Sequence, residues 1–337
     1  SKLDNPHAQY QLARMIFNDP SSTPEQTAQA LERLTKAAEA GQDCAQYALG
    51  KIYRDGQGVE KDIQKAVALF TLAATKENSF AAFALGKLYL AGDAALPRDP
   101  AAALKWLTYA AELGNQFAQY RLGKLLLKGD DGIPKDVITA IRWLTAAAKQ
   151  ENGYAEYALA LVYLTGEDAP KDSVKALSLL KRSAGRGNQF AQYRLGKLLL
   201  QGEDAPKDVK AAIRWLTAAA EQGNQYAQYA LGKLYLLGKE VPKDRSSAIK
   251  WFQLAADQGN EYAQYFLKHM DDRLGQPPVA AVISLFHHLT NIFQEQNQPP
   301  PSGGVRVAVD RKLLRKIKAK KIAQGHKADD HEPEMQL

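Results

Sequence analysis

Six histidines, His7, His269, His287, His288, His326 and His331, are the first residues to weigh for metal or proton chemistry. None stands at the His-x-His or His-x-x-x-His spacing that brings two imidazoles to one ion, and the adjacent His287 and His288 point to different faces of a helix. The chain contains no Walker loop, no Gly-x-Ser-x-Gly elbow and no Gly-x-Gly-x-x-Gly turn after a strand. Cys44 is the single cysteine, which excludes an internal disulfide and a cysteine-cluster metal site. Acidic turns such as Asp130-Asp131-Gly132 and Gly166-Glu167-Asp168 lack the alternating acids and terminal Glu of a calcium loop, so they read as turn and cap chemistry. Of the 15 tyrosines, all but Tyr109 fall in repeating columns, and periodicity explains them without catalysis. No catalytic residue, metal, cofactor or small-molecule substrate is expected from these patterns.

Two charged features remain. Arg121, Lys124 and Lys128 lie three and seven residues apart and so share one side of a helix; equivalent places hold Arg14, Lys51, Lys87, Arg194, Lys197 and Lys233. Stacked units would align them into a ridge, interrupted at Leu161. This ridge is either a solvated face that opposes aggregation or a groove that meets a protein partner of acidic character. Nearby aromatic residues, Phe117, Tyr154, Phe190 and Tyr226, are expected in the core.

The second feature is the segment 305–327. It holds nine basic residues, Arg306, Arg311, Lys312, Arg315, Lys316, Lys318, Lys320, Lys321 and Lys327, against one acid, Asp310. The rest of the chain has 35 basic and 36 acidic residues, so the formal net charge of +7 belongs to this tail and not to the protein at large. A basic helix with the weak stripe Leu313, Leu314 and Ile317 would neutralise nucleic-acid phosphates without sequence preference. The same segment also reads as a solvated or partner-docking helix. A membrane surface fits less well, because the stripe offers no Trp or Phe to bury.

These residues are positioned by a repeat. Asn115 to Leu127 returns almost unchanged from Asn188 to Leu200, and the column of Tyr120 recurs at Tyr10, Tyr47, Phe83, Tyr157, Tyr193, Tyr229 and Tyr265, at intervals of 36 or 37 residues. A second column holds Trp106, Trp143, Trp215 and Trp251, with Leu179 in the remaining place. Each unit reads as two helices. The first (A) carries Ala118, Leu122, Leu125 and Leu126 at helical spacing and ends at Gly129, suited to a left-handed cap. In the following turn Pro206 blocks continuation and Asp208 caps the second helix (B), which carries Ala212, Ile213, Leu216, Ala219 and Ala220. Small residues such as Gly123 and Ala147 allow close helix approach.

The spacing therefore predicts an all-α chain: an α-solenoid of about eight antiparallel helix pairs over 1–275, each unit burying its apolar stripe on the next. A capping helix over 276–298 would seal the end, a Pro/Gly linker would cover 299–304, and the basic helical tail 305–337 would follow, flexible until bound. The absence of Met at Ser1 and of a cap before the first unit leads us to expect chain upstream. A lone cysteine, a polar start and no run of about 18 apolar residues fit a bacterial cytoplasmic protein with no membrane partner.

The Ala-x-Tyr-x-Leu-Gly helix at Ala118–Gly123, the Gly…Asp loop at Gly129–Asp136 and the Ala-x-x-Trp-x-x-x-Ala-Ala helix at Ala140–Ala148 resemble the Sel-one-like repeat, a longer relative of the tetratricopeptide repeat. The resemblance covers about residues 8–270 and implies a right-handed α-solenoid that serves as a protein-binding scaffold. The stretch Asp310-Arg311-Lys312-Leu313-Leu314-Arg315-Lys316-Ile317, continued by Lys320-Lys321-Ile322-Ala323-Gln324-Gly325-His326-Lys327, is similar to the C-terminal tail of MobP-type conjugative relaxases, as is Leu285-Phe286-His287-His288-Leu289 before it. That resemblance implies the C-terminal part of a DNA-mobilisation protein whose nicking domain lies outside this chain, so no catalytic residue carries over. The alternative is a stand-alone repeat adaptor in bacterial signalling or stress response with no DNA role.

Overall fold

The computed structural model describes residues 6–17, 22–129 and 132–270. The expected capping helix 276–298, linker 299–304 and basic tail 305–337, with all nine of its cations, lie outside the described residues. So do His287 and His288.

Among the described residues there are fifteen helices and no strand: α1 (Pro6–Phe17), α2 (Pro24–Glu39), α3 (Asp43–Asp55), α4 (Ile63–Ala74), α5 (Ser79–Ala91), α6 (Pro100–Glu112), α7 (Gln116–Lys128), α8 (Val137–Lys149), α9 (Gly153–Thr165), α10 (Ser173–Gly185), α11 (Gln189–Gln201), α12 (Val209–Glu221), α13 (Gln225–Leu237), α14 (Arg245–Asp257) and α15 (Glu261–Met270). Odd-numbered helices are the A helices and even-numbered ones the B helices. Every extensive packing contact joins helices adjacent in sequence, which is the signature of a solenoid. Seven helix pairs are complete, and α15 begins an eighth unit.

Local chemistry starts and stops each helix. Asn78, Asn115, Asn152, Asn188 and Asn224 cap A helices, their side-chain oxygens accepting from backbone amides two or three residues on. Asp62, Asp99, Asp136, Asp172, Asp208 and Asp244 cap B helices in the same way. The alternation of 36 and 37 residues has a structural cause at the other end of helix A. Gly56, Gly166, Gly202 and Gly238 take left-handed backbone angles and are followed six residues later by the Asp cap. Gly92 and Gly129 keep positive φ (69° and 65°) but swing ψ to 162° and 147°, and their loops are one residue longer. The left-handed cap expected at Gly129 is therefore replaced by an extended turn that absorbs the extra residue.

The core between each pair is made of small residues facing large ones. Ala118, Ala155, Ala191 and Ala227 of the A helices, and Leu107, Leu144, Leu180 and Leu216 of the B helices, are completely buried. Gly123 sets the helix separation: a Cβ there would lie 2.6 Å from Leu144 Cγ and 3.0 Å from the Ala140 carbonyl oxygen. Gly86 and Gly196 repeat this contact against Leu107 and Leu216, and Gly50 and Gly232 against Phe70 and Phe252. In α9 the place is taken by Ala160, which is also fully buried.

Candidate functional site

The A helices touch one another as well as their B partners, through α1–α3 and α7–α9 among others, whereas no pair of B helices approaches to the same degree among the described residues. The seam between A helices is an aromatic ladder. Tyr47 meets Phe80 (ring centroids 6.3 Å apart), Phe83 meets Phe117 (6.5 Å), Tyr120 meets Tyr154 (5.9 Å), Tyr157 meets Phe190 (6.3 Å), Tyr193 meets Tyr226 (6.1 Å) and Tyr229 meets Tyr262 (5.9 Å). All six are tilted pairs in the range where rings attract. Phe117 and Tyr154 are half-buried, but Phe190 and Tyr226 are 38% and 46% exposed. The core placement expected for these four fails for that reason: their rings pair across the seams between A helices and stay partly exposed.

Cations stand beside the ladder. Lys51, Lys87, Arg121, Arg194 and Lys233 are half-buried on successive A helices, while Lys124, Lys128 and Lys197 are exposed. Arg14 lies on α1, with its side chain outside the described residues. The Lys87 ammonium sits 5.7 Å from the Phe83 ring centre. Arg194 Nε is buried with no hydrogen-bond acceptor, and its guanidinium acts electrostatically on Tyr157, Tyr193 and Lys197 together. Desolvation, then the neighbouring Arg194, holds the Lys197 ammonium below the usual lysine range. For Lys233 the causes are desolvation, then Lys197 and Lys239. Burial raises the phenols of Tyr157, Tyr193 and Tyr229, which stay neutral at physiological pH. Cations on consecutive units thus feel one another, as a shared surface requires.

Helices α5, α7, α11 and α13 contain no Asp or Glu, and the only acid of α9, Glu156, is completely buried. The sequence ridge is therefore one structural feature, with its break at Leu161 of α9, where Ala158 also stands in the column of Arg121 and Arg194.

Glu156 and its partners went unnoticed in the sequence reading. Elsewhere its column is glutamine, save for Ala82 in the third unit: the side-chain amides of Gln46, Gln119, Gln192, Gln228 and Gln264 donate to the carbonyls of Ala38, Ala111, Ala184, Ala220 and Ala256 at 3.0–3.1 Å. A second glutamine, at the end of the next B helix, donates to the first: Gln150 to Gln119 (2.9 Å), Gln222 to Gln192 (2.8 Å) and Gln258 to Gln228 (2.8 Å). In the fifth unit both places change. Glu156 replaces the first glutamine and Arg186 the second, with Arg186 Nε 3.4 Å from Glu156 Oε2 and Arg182 Nη2 2.6 Å from Glu156 Oε1. Arg182 also donates to the Ala148 carbonyl (3.3 Å), which in other units accepts from the glutamine. The legible signal is a paired exchange, Gln to Glu and Gln to Arg, thirty residues apart in sequence.

The turns carry their own ion pairs. Lys61 meets Asp93 (2.8 Å), Lys135 meets Asp168 (2.5 Å), Lys171 meets Asp204 (2.7 Å) and Lys207 meets Glu240 (2.7 Å), so the acidic turns join successive loops. Their lysines are about half exposed, and each bridge contributes little by itself. A cleft of about 660 Å³ beside α4 and α6 is lined mostly by apolar surface, from Leu104, Trp106 and Tyr109 among others, with Lys105 and Glu112 also on it.

A family profile for the Sel1 repeat matches seven times, at residues 6–42, 45–78, 79–115, 116–152, 153–188, 189–224 and 225–260. Each match spans one A helix and the B helix after it. The chain is similar in structure to c5321, a protective antigen of uropathogenic Escherichia coli with an SLR fold, at 34% identity and TM-score 0.68; the likeness covers 80% of this chain and 58% of the antigen, so the chain spans less than two thirds of that relative. It is similar to a Sel1 repeat protein from Oxalobacter formigenes at 32% identity and TM-score 0.68, over 80% of this chain and 77% of that one. No curated protein sequence matched. Seven consecutive matches and these shared architectures place the chain in the Sel1 repeat family.

Proposed function

We propose that the chain is a non-catalytic protein-interaction scaffold whose A-helix face, bearing Lys87, Arg121, Lys124, Lys128, Arg194, Lys197 and Lys233, receives an acidic protein partner. The observation that carries this reading is the run of A helices from α5 to α13 with no exposed acid, set along a surface aromatic ladder. Rigid tyrosine and phenylalanine edges supply contact area at low entropic cost, and cations around them steer and orient an acidic partner. Replacing Lys124 and Lys197 by Glu tests the reading. Binding of acidic peptides to the full chain should weaken at least tenfold, with helical circular dichroism unchanged. Unaltered binding would remove the A face from the function.

A narrower reading places this scaffold in the C-terminal part of a conjugative relaxase, with Arg306, Arg311, Lys312, Arg315, Lys316, Lys318, Lys320, Lys321 and Lys327 holding DNA nonspecifically. It is supported by the concentration of charge in 305–327 and by the resemblance of that segment to relaxase tails. DNA affinity measured across a salt series, with and without residues 305–337, tests it. If about six phosphates are neutralised, the log–log slope on duplex is near −5 and truncation abolishes binding. Indifference of both forms to DNA would favour the stand-alone adaptor.

A further inference from the structure

The break in the cationic ridge has a chemistry of its own. On α7, Arg121 and Lys124 present charge one turn apart, and on α11 Arg194 and Lys197 do the same. Between them α9 presents Ala158 and Leu161 at the two equivalent positions, bordered by Tyr154 and Tyr157. Arg194 Nε lacks a hydrogen-bond acceptor, and the acid that feels its charge, Asp204, lies in the turn after α11 and is already bonded to Lys171 and Ser173. The face is thus cationic, apolar and cationic again over three successive A helices. The α9 helix also carries the buried Glu156, which meets the partly exposed Arg182 and Arg186 at the end of α10.

Packed helices lie about 10 Å apart, so α7 and α11 are separated by about 20 Å. An extended peptide advances about 3.3 Å per residue and crosses that distance in about six. We propose that the A face takes an extended segment of a partner protein in which one apolar side chain seats over Ala158 and Leu161, with acidic residues about three positions to either side reaching Arg121 and Lys124 on one flank and Arg194 and Lys197 on the other. A single-stranded nucleic acid is the other polyanion that aromatic, basic surfaces take. It fits less well here: its backbone carries charge without interruption, whereas the ridge is broken at Ala158 and Leu161, and the rings of this ladder are already engaged with each other in tilted pairs. This inference rests on the reading of the A face as a protein-binding surface and adds the pattern of the ligand.

Fluorescence anisotropy on the full chain tests it with three thirteen-residue labelled peptides. The first has Glu-Glu blocks three residues to either side of a central Leu. The second has the same composition with the four Glu contiguous, and the third has the central Leu replaced by Ser. The split peptide should bind at least tenfold more tightly than either control. In Leu161→Lys, which restores the residue found in the same column of α7, α11 and α13, that preference should vanish while contiguous acid binds as well or better. Lys124→Glu with Lys197→Glu should weaken the split peptide at least tenfold. Peptide held by the basic tail would ignore all three substitutions.

Equal affinity for split and contiguous peptides, or a preference that survives Leu161→Lys, would overturn the pattern. If the Glu substitutions then weakened all acidic peptides alike, the A face would still be the protein-binding surface. If they changed nothing, both readings would fall. A thymidine oligonucleotide that binds more tightly than the split peptide, and loses binding in Lys124→Glu with Lys197→Glu, would assign the face to nucleic acid instead.

Discussion

Replacing Glu156 and Arg186 by Gln, singly and together, isolates what the charged pair does within a neutral ladder. Glu156 is 0% exposed, whereas the side chains of Arg182 and Arg186 are 50% and 32% exposed. The two single changes should therefore differ. Arg186→Gln leaves a fully buried carboxylate with one cation. Breaking such a pair costs about 3–5 kcal/mol when nothing compensates, and the remaining 2.6 Å contact to Arg182 brings the expected loss to about 2 kcal/mol. Glu156→Gln leaves two guanidinium groups that can turn toward water, and its own amide can donate to the Ala148 carbonyl, so the loss should be about 1 kcal/mol. The double variant rebuilds the arrangement seen at Gln192 and Gln222, where the amide donates at 2.8 Å. Its stability should return to within about 0.5 kcal/mol of the natural chain, a coupling of about 2.5–3 kcal/mol. Repeat arrays open in parts, so urea unfolding should be paired with hydrogen exchange over α8 to α10. Singles that add in the double variant, for a loss of about 3 kcal/mol, would refute the equivalence of the two pairs.

Three further outcomes follow from the geometry. Gly123→Ala puts a methyl 2.6 Å from Leu144 Cγ and should destabilise by about 1–3 kcal/mol in urea unfolding, whereas Ala160→Gly in the same column should cost about 1 kcal/mol or less. Glu77 sits at the turn after a B helix with φ +62°, where the equivalent residues Gly41, Gly114 and Gly187 are glycine, so Glu77→Gly should raise stability by about 1 kcal/mol. The Ser247 hydroxyl, then the Ser247 amide and the Ser246 hydroxyl, hold the Asp244 carboxyl down at about 2. Against an unfolded value of about 3.9, its stabilisation is complete above about pH 5 and lost as pH falls through about 2. Asp62 and Asp136 share the direction, each held down chiefly by the backbone amide it caps. Acid titration of helicity should thus be flat near neutrality and fall between about pH 4 and 2, with a shallower fall in Asp244→Asn.

The fold was legible because each unit repeats its local instructions. The Asn before helix A, the Gly after it and the Asp before helix B recur at fixed offsets, and their amides, carbonyls and backbone angles impose the same turn each time. Repetition also exposed the cationic column, since Lys124, Lys197 and Lys233 stand in register. The seam between A helices was harder to see. Phe190 and Tyr226 have the composition of core residues, and only the lateral contact of A helices shows that their rings bridge units while staying half outside. Glu156 escaped for another reason. A single acid in a column that is mostly glutamine looks conservative until the structure shows Arg186 replacing the partner glutamine opposite it. The turn at Gly129 was misjudged because one additional loop residue changes ψ without changing the residue type.

The central claim is that partners engage the A face. Hydroxyl-radical footprinting of the full chain, with and without the split acidic peptide, addresses it directly. Phe190, Tyr226 and Leu161 should be protected, while Ile138 and Val174 on the B helices, 85% and 82% exposed, should oxidise at unchanged rates. Protection of Ile138 and Val174 with none at Phe190 or Tyr226 would contradict the account and move the interaction surface to the B helices.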